Sequence, residues 1–451
     1  MKRTVAQVSG SKERNLPMRA IIHRGSKEIG GTFLELQSGT GRILLDAGYP
    51  LFLNNEPIDD SVALQDPDVL LGLGVLPDIK GLYLWDSSKF NGVVISHAHL
   101  DHYGLLRFVN PDIPVYLSAG TFKLIQLSNI FHLIDEIALE NYDIRIFEMH
   151  EPFSVGAFRI MPYLMDHSAF DAAAFEVSSL GKTILYTGDF RSHGRKNICF
   201  DIFINKARKN ADILFIEGTK LGQQNEEVLT ERELEEQIII NSRDIAGPVL
   251  FQSSSQNIDR LVSFYRAALR LRRIFIVDIY TANILYELRQ LGNQLPYPSA
   301  AYKNIKVFYP YQLTKKIFSK IGEKYAKRFS PYHISKTNLQ KQEKNIVMTV
   351  RPSMKRDLET AGLRNGLFVY SLWHGYRDSG YQKKFEGYLK QVGFAMRFLH
   401  TSGHATITDI EKLIDKLQPK KVVPIHSMAP NAFASITDKV IFIEDGKMFK
   451  V

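Results

Sequence analysis

Ser96-His97-Ala98-His99-Leu100-Asp101-His102-Tyr103-Gly104 follows the apolar run Val93-Val94-Ile95, and its reading decides the fold. Three imidazoles and a carboxylate fall within six residues at the end of a strand-like run, where a loop can turn them inward together. Such density of ligand-capable side chains is costly unless something pairs with them. Working outward, four further places supply matching groups: Asp46 in Leu44-Leu45-Asp46-Ala47-Gly48, His167 in Met165-Asp166-His167-Ser168, Asp189 in Tyr186-Thr187-Gly188-Asp189-Phe190, and His426 after Val422-Val423-Pro424-Ile425. Taken singly, a strand-end Asp is more often a turn cap and a lone His a satisfied core residue. Taken as an ordered set, each just after an apolar run, they describe a coordination sphere.

Composition narrows the setting. The chain has 451 residues, 45% hydrophobic and 23% charged, with no apolar run long enough to span a bilayer, which excludes a membrane-spanning or disordered protein. That length implies two or more domains, or one domain with a large insertion. Lys and Arg number 57 against 48 Asp and Glu, and the net charge of +9 favours an anionic partner. Cys199 is the single cysteine, so no intrachain disulfide or thiolate cage forms, any metal rests on His and carboxylates, and a reducing, cytoplasmic setting is expected. Residues 1–17 are polar and basic without a secretory pattern, and are expected to form an N-terminal tail.

Strand-like runs at Arg19 to His23, Gly31 to Leu36, Arg42 to Leu45 and Val93 to Ile95, and two more ending at Leu164 and Thr187, predict a mixed α/β layer. A helix is predicted over Gly120 to Ile134, and a hairpin at Leu180-Gly181-Lys182. From about Gly218, helix and strand alternate: helices over Glu226 to Asp244 and Asn257 to Leu271 precede strands at Val249 and Ile274. Thr314 to Asn345 holds nine Lys and Arg against two Asp and Glu. Its Lys316, Lys320 and Lys324 repeat every four residues, which predicts one basic helix face.

His97-x-His99-x-Asp101-His102, with the four later ligand positions, resembles the metal motifs of the metallo-β-lactamase fold. Glu217 in Ile216-Glu217-Gly218-Thr219, His404 in Thr401-Ser402-Gly403-His404-Ala405-Thr406 and His426 resemble motifs A, B and C of its β-CASP family, nucleases with a cap inserted in the metallo-β-lactamase domain. The resemblance implies a four-layer αββα sandwich with an inserted α/β cap. Its parts are expected at 18–217 (first part of the metallo-β-lactamase domain), 218–396 (cap) and 397–451 (C-terminal part of the metallo-β-lactamase domain). It also assigns roles: His97, His99 and His167 hold one zinc, Asp101, His102 and His426 the other, and Asp189 bridges them. Asp46 orients a ligating imidazole, and Mn²⁺ is an acceptable substitute for either Zn²⁺ in a His/Asp site. Asp101 also belongs with the catalytic group, a hydroxide activated by the two metals attacks phosphorus, and His404, held by Glu217, acts as general acid.

Within that family a histidine at motif C marks the RNA-processing branch, so His426 implies RNA, preferably single-stranded, as partner. Around His167 and His404 the sequence looks closer to ribonuclease J, whereas His99-Leu100-Asp101 looks closer to the pre-mRNA cleavage endonuclease. A DNA nuclease of the same fold, in repair or phage defence, a non-catalytic nucleic-acid-binding subunit and, less favoured, a small-molecule hydrolase are the rival readings, and a homodimer is left open. Substrate contacts are expected from Ser402 and Gly403 at the start of a helix capped by Thr408 and Glu411, from Ser255 and Arg351 at strand ends in the cap, and from Lys316, Lys320 and Lys324. Trp373-His374-Gly375-Tyr376 closes another strand, and stacking on a base and core packing are equally good readings of it.

Overall fold

A computed structural model describes residues 17–53, 56–58, 60–131, 137–223, 228–292 and 294–451, and the side chains of residues 60 and 61 are left aside. Most of the expected tail, the end of the helix predicted to Ile134 and the start of that predicted from Glu226 lie outside the described residues.

Two mixed sheets pack face to face. The first runs Met448–Lys450, Arg19–Arg24, Phe33–Ser38, Gly41–Leu45, Gly92–Val94, Val115–Ser118, Ile144–Phe147 in spatial order. The second runs Val422–Ile425, Ile213–Glu217, Lys182–Tyr186, Ala173–Ser179, Phe158–Leu164, Phe153–Val155. Alternation along each strand sorts the side chains. Leu34 and Leu36 point between the sheets to meet Phe158, Phe175 and Tyr186, while Phe33 and Leu44 face outward under a helical layer. Ala119–Ile130 covers that outer face; Ile198–Lys206 and Ile407–Leu417 cover the other sheet through Leu185, Leu214 and Ile216. The layering is αββα. The predicted hairpin is a two-residue turn in which Leu180 and Gly181 both take positive φ, 49° and 74°, matching the strand twist.

A third sheet is wholly parallel, in the order Ile305–Phe308, Ile274–Asp278, Ile346–Thr349, Val249–Gln252, Leu367–Tyr370, Ala395–Phe398. Its central strands are buried on both faces, as Val- and Ile-rich runs between crossover helices require. This sheet and its helices form the cap, which the chain inserts between Ile213–Glu217 and Val422–Ile425 of the second sheet.

Two expectations are corrected here. Lys316, Lys320 and Lys324 do not share one regular helix: Tyr311–Lys316 passes into a wider π-helical turn, Ile317–Ile321, and Gly322 at φ 126° ends it before a new helix, Lys324–Lys327. Lys316 reaches back to the Phe131 carbonyl at 3.1 Å and Lys324 lies over the Tyr325 ring, so the three ammonium groups are dispersed. The helix after His404 is capped by a reciprocal Thr406–Asp409 box, two residues before the Thr408–Glu411 pair expected to do so.

Candidate metal centre and active site

Every candidate ligand stands where a strand of the sandwich runs out. Asp46 follows Gly41–Leu45 and His426 follows Val422–Ile425, both in the left-handed region with φ of 61° and 51°. A histidine in that conformation is uncommon and is held by surrounding bonds, here His426 N to Gly25 O at 2.7 Å.

The hydrogen bonds assign the ring protons. Asp46 Oδ2 accepts from His102 Nδ1 at 2.8 Å, and Asp46 also accepts from Ser96 N, Ser96 Oγ and Tyr186 OH. Because Ser96 Oγ donates to Asp46, it accepts from His97 Nδ1 at 3.0 Å. The Gly403 carbonyl accepts from His167 Nδ1 at 2.5 Å. With the protons pinned at Nδ1, the Nε2 lone pairs of His97, His102 and His167 point inward. His97 Nε2 and His167 Nε2 each lie 3.2 Å from His99 Nδ1. Burial drives all three of these rings toward the neutral form, His99 to about 4.

A second group faces the first. His102 Nε2 is 3.2 Å and His426 Nε2 3.8 Å from Asp189 Oδ2, and His426 Nε2 is 3.2 Å from Asp101 Oδ2. Asp189 Oδ2 also lies 3.8 Å from His97 Nε2, so this carboxylate touches both groups. Asp189 Oδ1 and Oδ2 and His102 Nε2 are buried without a hydrogen-bond partner, a costly state that a cation relieves. Among the described residues three clusters have metal-holding geometry: His97-His99-His167, Asp101-His102-Asp189-His426 and Asp189-Glu217-His404-His426. Burial keeps His97, His99 and His167 neutral, while at His102 it is outweighed by Asp189, Asp46 and Asp101, which favour a cation there; lone pairs and carboxylates converging on one place fit divalent metal ions.

Glu217 and His404 join this centre. Glu217 ends the strand Ile213–Glu217, is buried, and accepts from Phe190 N at 2.9 Å and from His404 Nδ1 at 3.1 Å. His404 Nδ1 is also 3.6 Å from Asp189 Oδ2. Burial opposes the His404 cation, but Glu217 and Asp189 outweigh it and raise its pKa to about 9. Gly403 permits the approach: a Cβ there would stand 2.6 Å from Ser168 Oγ and 3.2 Å from the His167 ring.

The sandwich is similar to known proteins. Residues 77–238 match the Beta-lactamase superfamily domain, and residues 394–432, containing His404 and His426, match the Zn-dependent metallo-hydrolase RNA specificity domain. A ribonuclease J of Helicobacter pylori is 25% identical over 295 residues, 63% of this chain and 40% of that relative. A ribonuclease J of Mycoplasma genitalium is 22% identical over 91% of this chain and 68% of its own, and an RNase J-like protein of Methanocaldococcus jannaschii is 27% identical over 58% and 57%. The fold is that of metallo-β-lactamases with a β-CASP domain, and the chain is similar to ribonuclease J proteins. A crystal structure from Enterococcus faecalis, of a protein of unknown function, superposes on this chain with a TM-score of 0.77 over 97% of this chain and 100% of its own, at 20% identity, and so shares the fold. The match to the Helicobacter protein spans 40% of that relative's length.

The other expected contacts are placed differently from one another. Ser402 and Gly403 precede the helix Ile407–Leu417 rather than start it, and their carbonyls are engaged by Arg191, His193 and His167. Ser255 is buried, its hydroxyl shared with Thr281 and with Arg351, whose Nε bonds Asp278 at 2.6 Å. Sequence reading passed over Arg191, fully buried, which donates to Asp166 at 3.1 Å, Asp259 at 2.7 Å and the Ser402 carbonyl at 3.1 Å. Its place two residues after Asp189 is the only local signal it offers.

Proposed function

We propose that this protein is a metal-dependent ribonuclease that hydrolyses phosphodiester bonds, with single-stranded RNA as its preferred substrate and Zn²⁺ as its metal. The observation that carries the reading is the His404–Glu217 pair beside Asp189, a carboxylate touching both ligand groups. An acid held next to a metal centre suits expulsion of an alkoxide from phosphorus. The names of the relatives, ribonuclease J and RNase J-like protein, support RNA as the polymer.

His97, His99 and His167 would hold one ion and Asp101, His102, Asp189 and His426 the other. Divalent ions held there would supply an activated water and offset the charge that develops on the phosphoryl oxygens. The imidazole-rich donor set suits Zn²⁺ and also accepts Mn²⁺. Asp46 keeps His102 in the tautomer that presents Nε2. Glu217 fixes the proton of His404 at Nδ1, and the raised pKa keeps the ring cationic at neutral pH, so that Nε2 is left to donate to the leaving oxygen.

The test is a denaturing-gel time course with metal-loaded protein on one single-stranded sequence made as RNA and as DNA, labelled internally and at each end. Cleavage of RNA, at least 100-fold slower in Asp101→Asn and His404→Ala, is the expected result. Equal or faster cleavage of DNA transfers the activity to the other polymer, and binding without cleavage of either makes the chain a nucleic-acid-binding subunit.

A further inference from the structure

Beyond the metal centre, the cap displays aromatic rings that its core does not use. The strand Leu367–Tyr370 leads into Ser371-Leu372-Trp373-His374-Gly375-Tyr376, where Trp373 and Tyr376 stay 54% and 59% exposed. Their turn is built rather than loose. The two rings meet edge to face, with centroids 5.3 Å apart at 86°. The Trp373 ring folds back over its own backbone, so close that a Cβ on Gly375 would lie 2.3 Å from it. Tyr370 OH bonds the Trp373 carbonyl at 3.3 Å on one side of the turn. On the other, Arg377 grips Glu386 with Nε and Nη2 at 2.9 and 2.8 Å, and Gln382 ties Glu386 to Gln252.

Position gives these rings a direction. They sit at the C-terminal edge of the parallel sheet, the edge at which such sheets bind ligands. The neighbouring strand, Ala395–Phe398, leaves by the same edge toward His404 and ends in Phe398, 45% exposed, its ring 5.7 Å from that of His374. From Phe398 the chain passes His400, whose ring lies 6.1 Å from that of Phe398, and reaches His404 six residues on. Rings at that place adjoin the path of a polymer whose phosphate occupies the centre.

We propose that Trp373 and Tyr376 form a stacking shelf for a nucleobase next to the scissile phosphate, continued by Phe398 for the following base. The proposal rests on the nuclease reading and adds to it the grip on the strand. Stacking on a π-face tolerates any base, so the shelf confers preference for unpaired strands rather than for a sequence.

Trp85 and Trp373 are the only two tryptophans, and Trp85 stacks on Tyr83, an arrangement that Phe preserves. In metal-loaded Trp85→Phe protein, Trp373 is therefore the sole indole reporter. Mixed in stopped flow with oligouridylate and with an abasic strand of equal length, its emission should be quenched saturably by the first and not by the second. Trp373→Ala and Tyr376→Leu should each raise KM for oligouridylate about 5- to 150-fold with little change in kcat, while Trp373→Phe retains most of the affinity. Equal response to the abasic strand, or unchanged KM in Trp373→Ala while RNA is still cut, overturns the shelf and leaves the nuclease reading standing. Base-dependent quenching without cleavage keeps the shelf and removes the hydrolysis; neither response removes both.

Discussion

His404 Nδ1 stands 3.1 Å from Glu217 Oε2, across 187 positions of sequence, and the carboxylate that accepts its hydrogen bond is itself buried at the end of a sheet strand. The pair is held from both lobes' connecting segments: Glu217 also accepts from Phe190 N, and Gly403 O accepts from the ring of His167. His404 is thereby coupled in position to the loops that carry the candidate ligands.

Removing that acid should slow the chemical step without emptying the metal centre. His404→Ala is expected to lower kcat about 10²- to 10⁴-fold, and Glu217→Gln about 10- to 100-fold. Single-turnover cleavage, with metal content measured on the same samples by mass spectrometry, checks both.

The pH profile of kcat follows from the same contact. A group that must be protonated loses activity as pH rises through its pKa, and Glu217 and Asp189 raise that of His404 to about 9 against burial. The alkaline limb should therefore lie above the ordinary histidine value and move to lower pH in Glu217→Gln, while Glu217→Asp keeps part of the shift. A limb unmoved by Glu217→Gln would mean that His404 is not the titrating acid.

Metal removal should expose the strain of converging lone pairs. Asp189 touches both ligand groups, so Asp189→Asn is expected to lose metal from each, whereas Asp46→Asn weakens retention about 10- to 100-fold by releasing His102. Chelation should lower the unfolding temperature of the parent chain, and free ion at about 100 times its Kd should restore about 2.7 kcal/mol per site. Calorimetry with and without chelator measures the difference.

Arg191 is the buried cation between the sandwich and the cap. Its guanidinium meets Asp166 beside His167, Asp259 on the cap helix Ile258–Arg270, and the carbonyl of Ser402. Arg191→Met leaves buried carboxylates uncompensated and should cost about 3 to 5 kcal/mol in urea unfolding. Arg191→Lys recovers only part, because an ammonium cannot reproduce the three-way fork.

Acid should unfold the cap interface before the ordinary carboxylates account for it. Burial works against the Glu231 anion, yet Arg260 and Arg191 hold its pKa at about 2, below the usual 4.5. A lowered carboxylate contributes stability above 4.5 that is lost as pH falls toward 2. The unfolding temperature should drop steeply between pH 4.5 and 2, and Glu231→Gln should flatten that slope while lowering the plateau.

Much of the centre was legible because ligands cluster at strand ends, and strand ends are local events. Apolar runs bounded by Gly and Asp mark where Gly41–Leu45, Lys182–Tyr186 and Ile213–Glu217 stop, and the next residues carry the chemistry. The basic stretch misled because a four-residue spacing assumes an unbroken helix, and Gly322 breaks it. The cap of the helix after His404 was misplaced by two residues because Thr406 and Thr408 offer the same hydroxyl, and only the packed helix selects Thr406. Arg191 carried no periodic or motif signal, since its meaning lies in partners 25, 68 and 211 positions away.

By itself, then, the sequence determined the kinds of ligand, their order, and the alternation of strands that delivers them to one edge, because those depend on neighbours two to four residues apart. Packing decides which nitrogens carry protons and which carboxylate touches both ligand groups. It also decides that Ser255 and Arg351 satisfy each other. Those relations join residues as far apart as Asp101 and His426, 325 positions, and are set only when the sheets pack and buried polar groups must find partners.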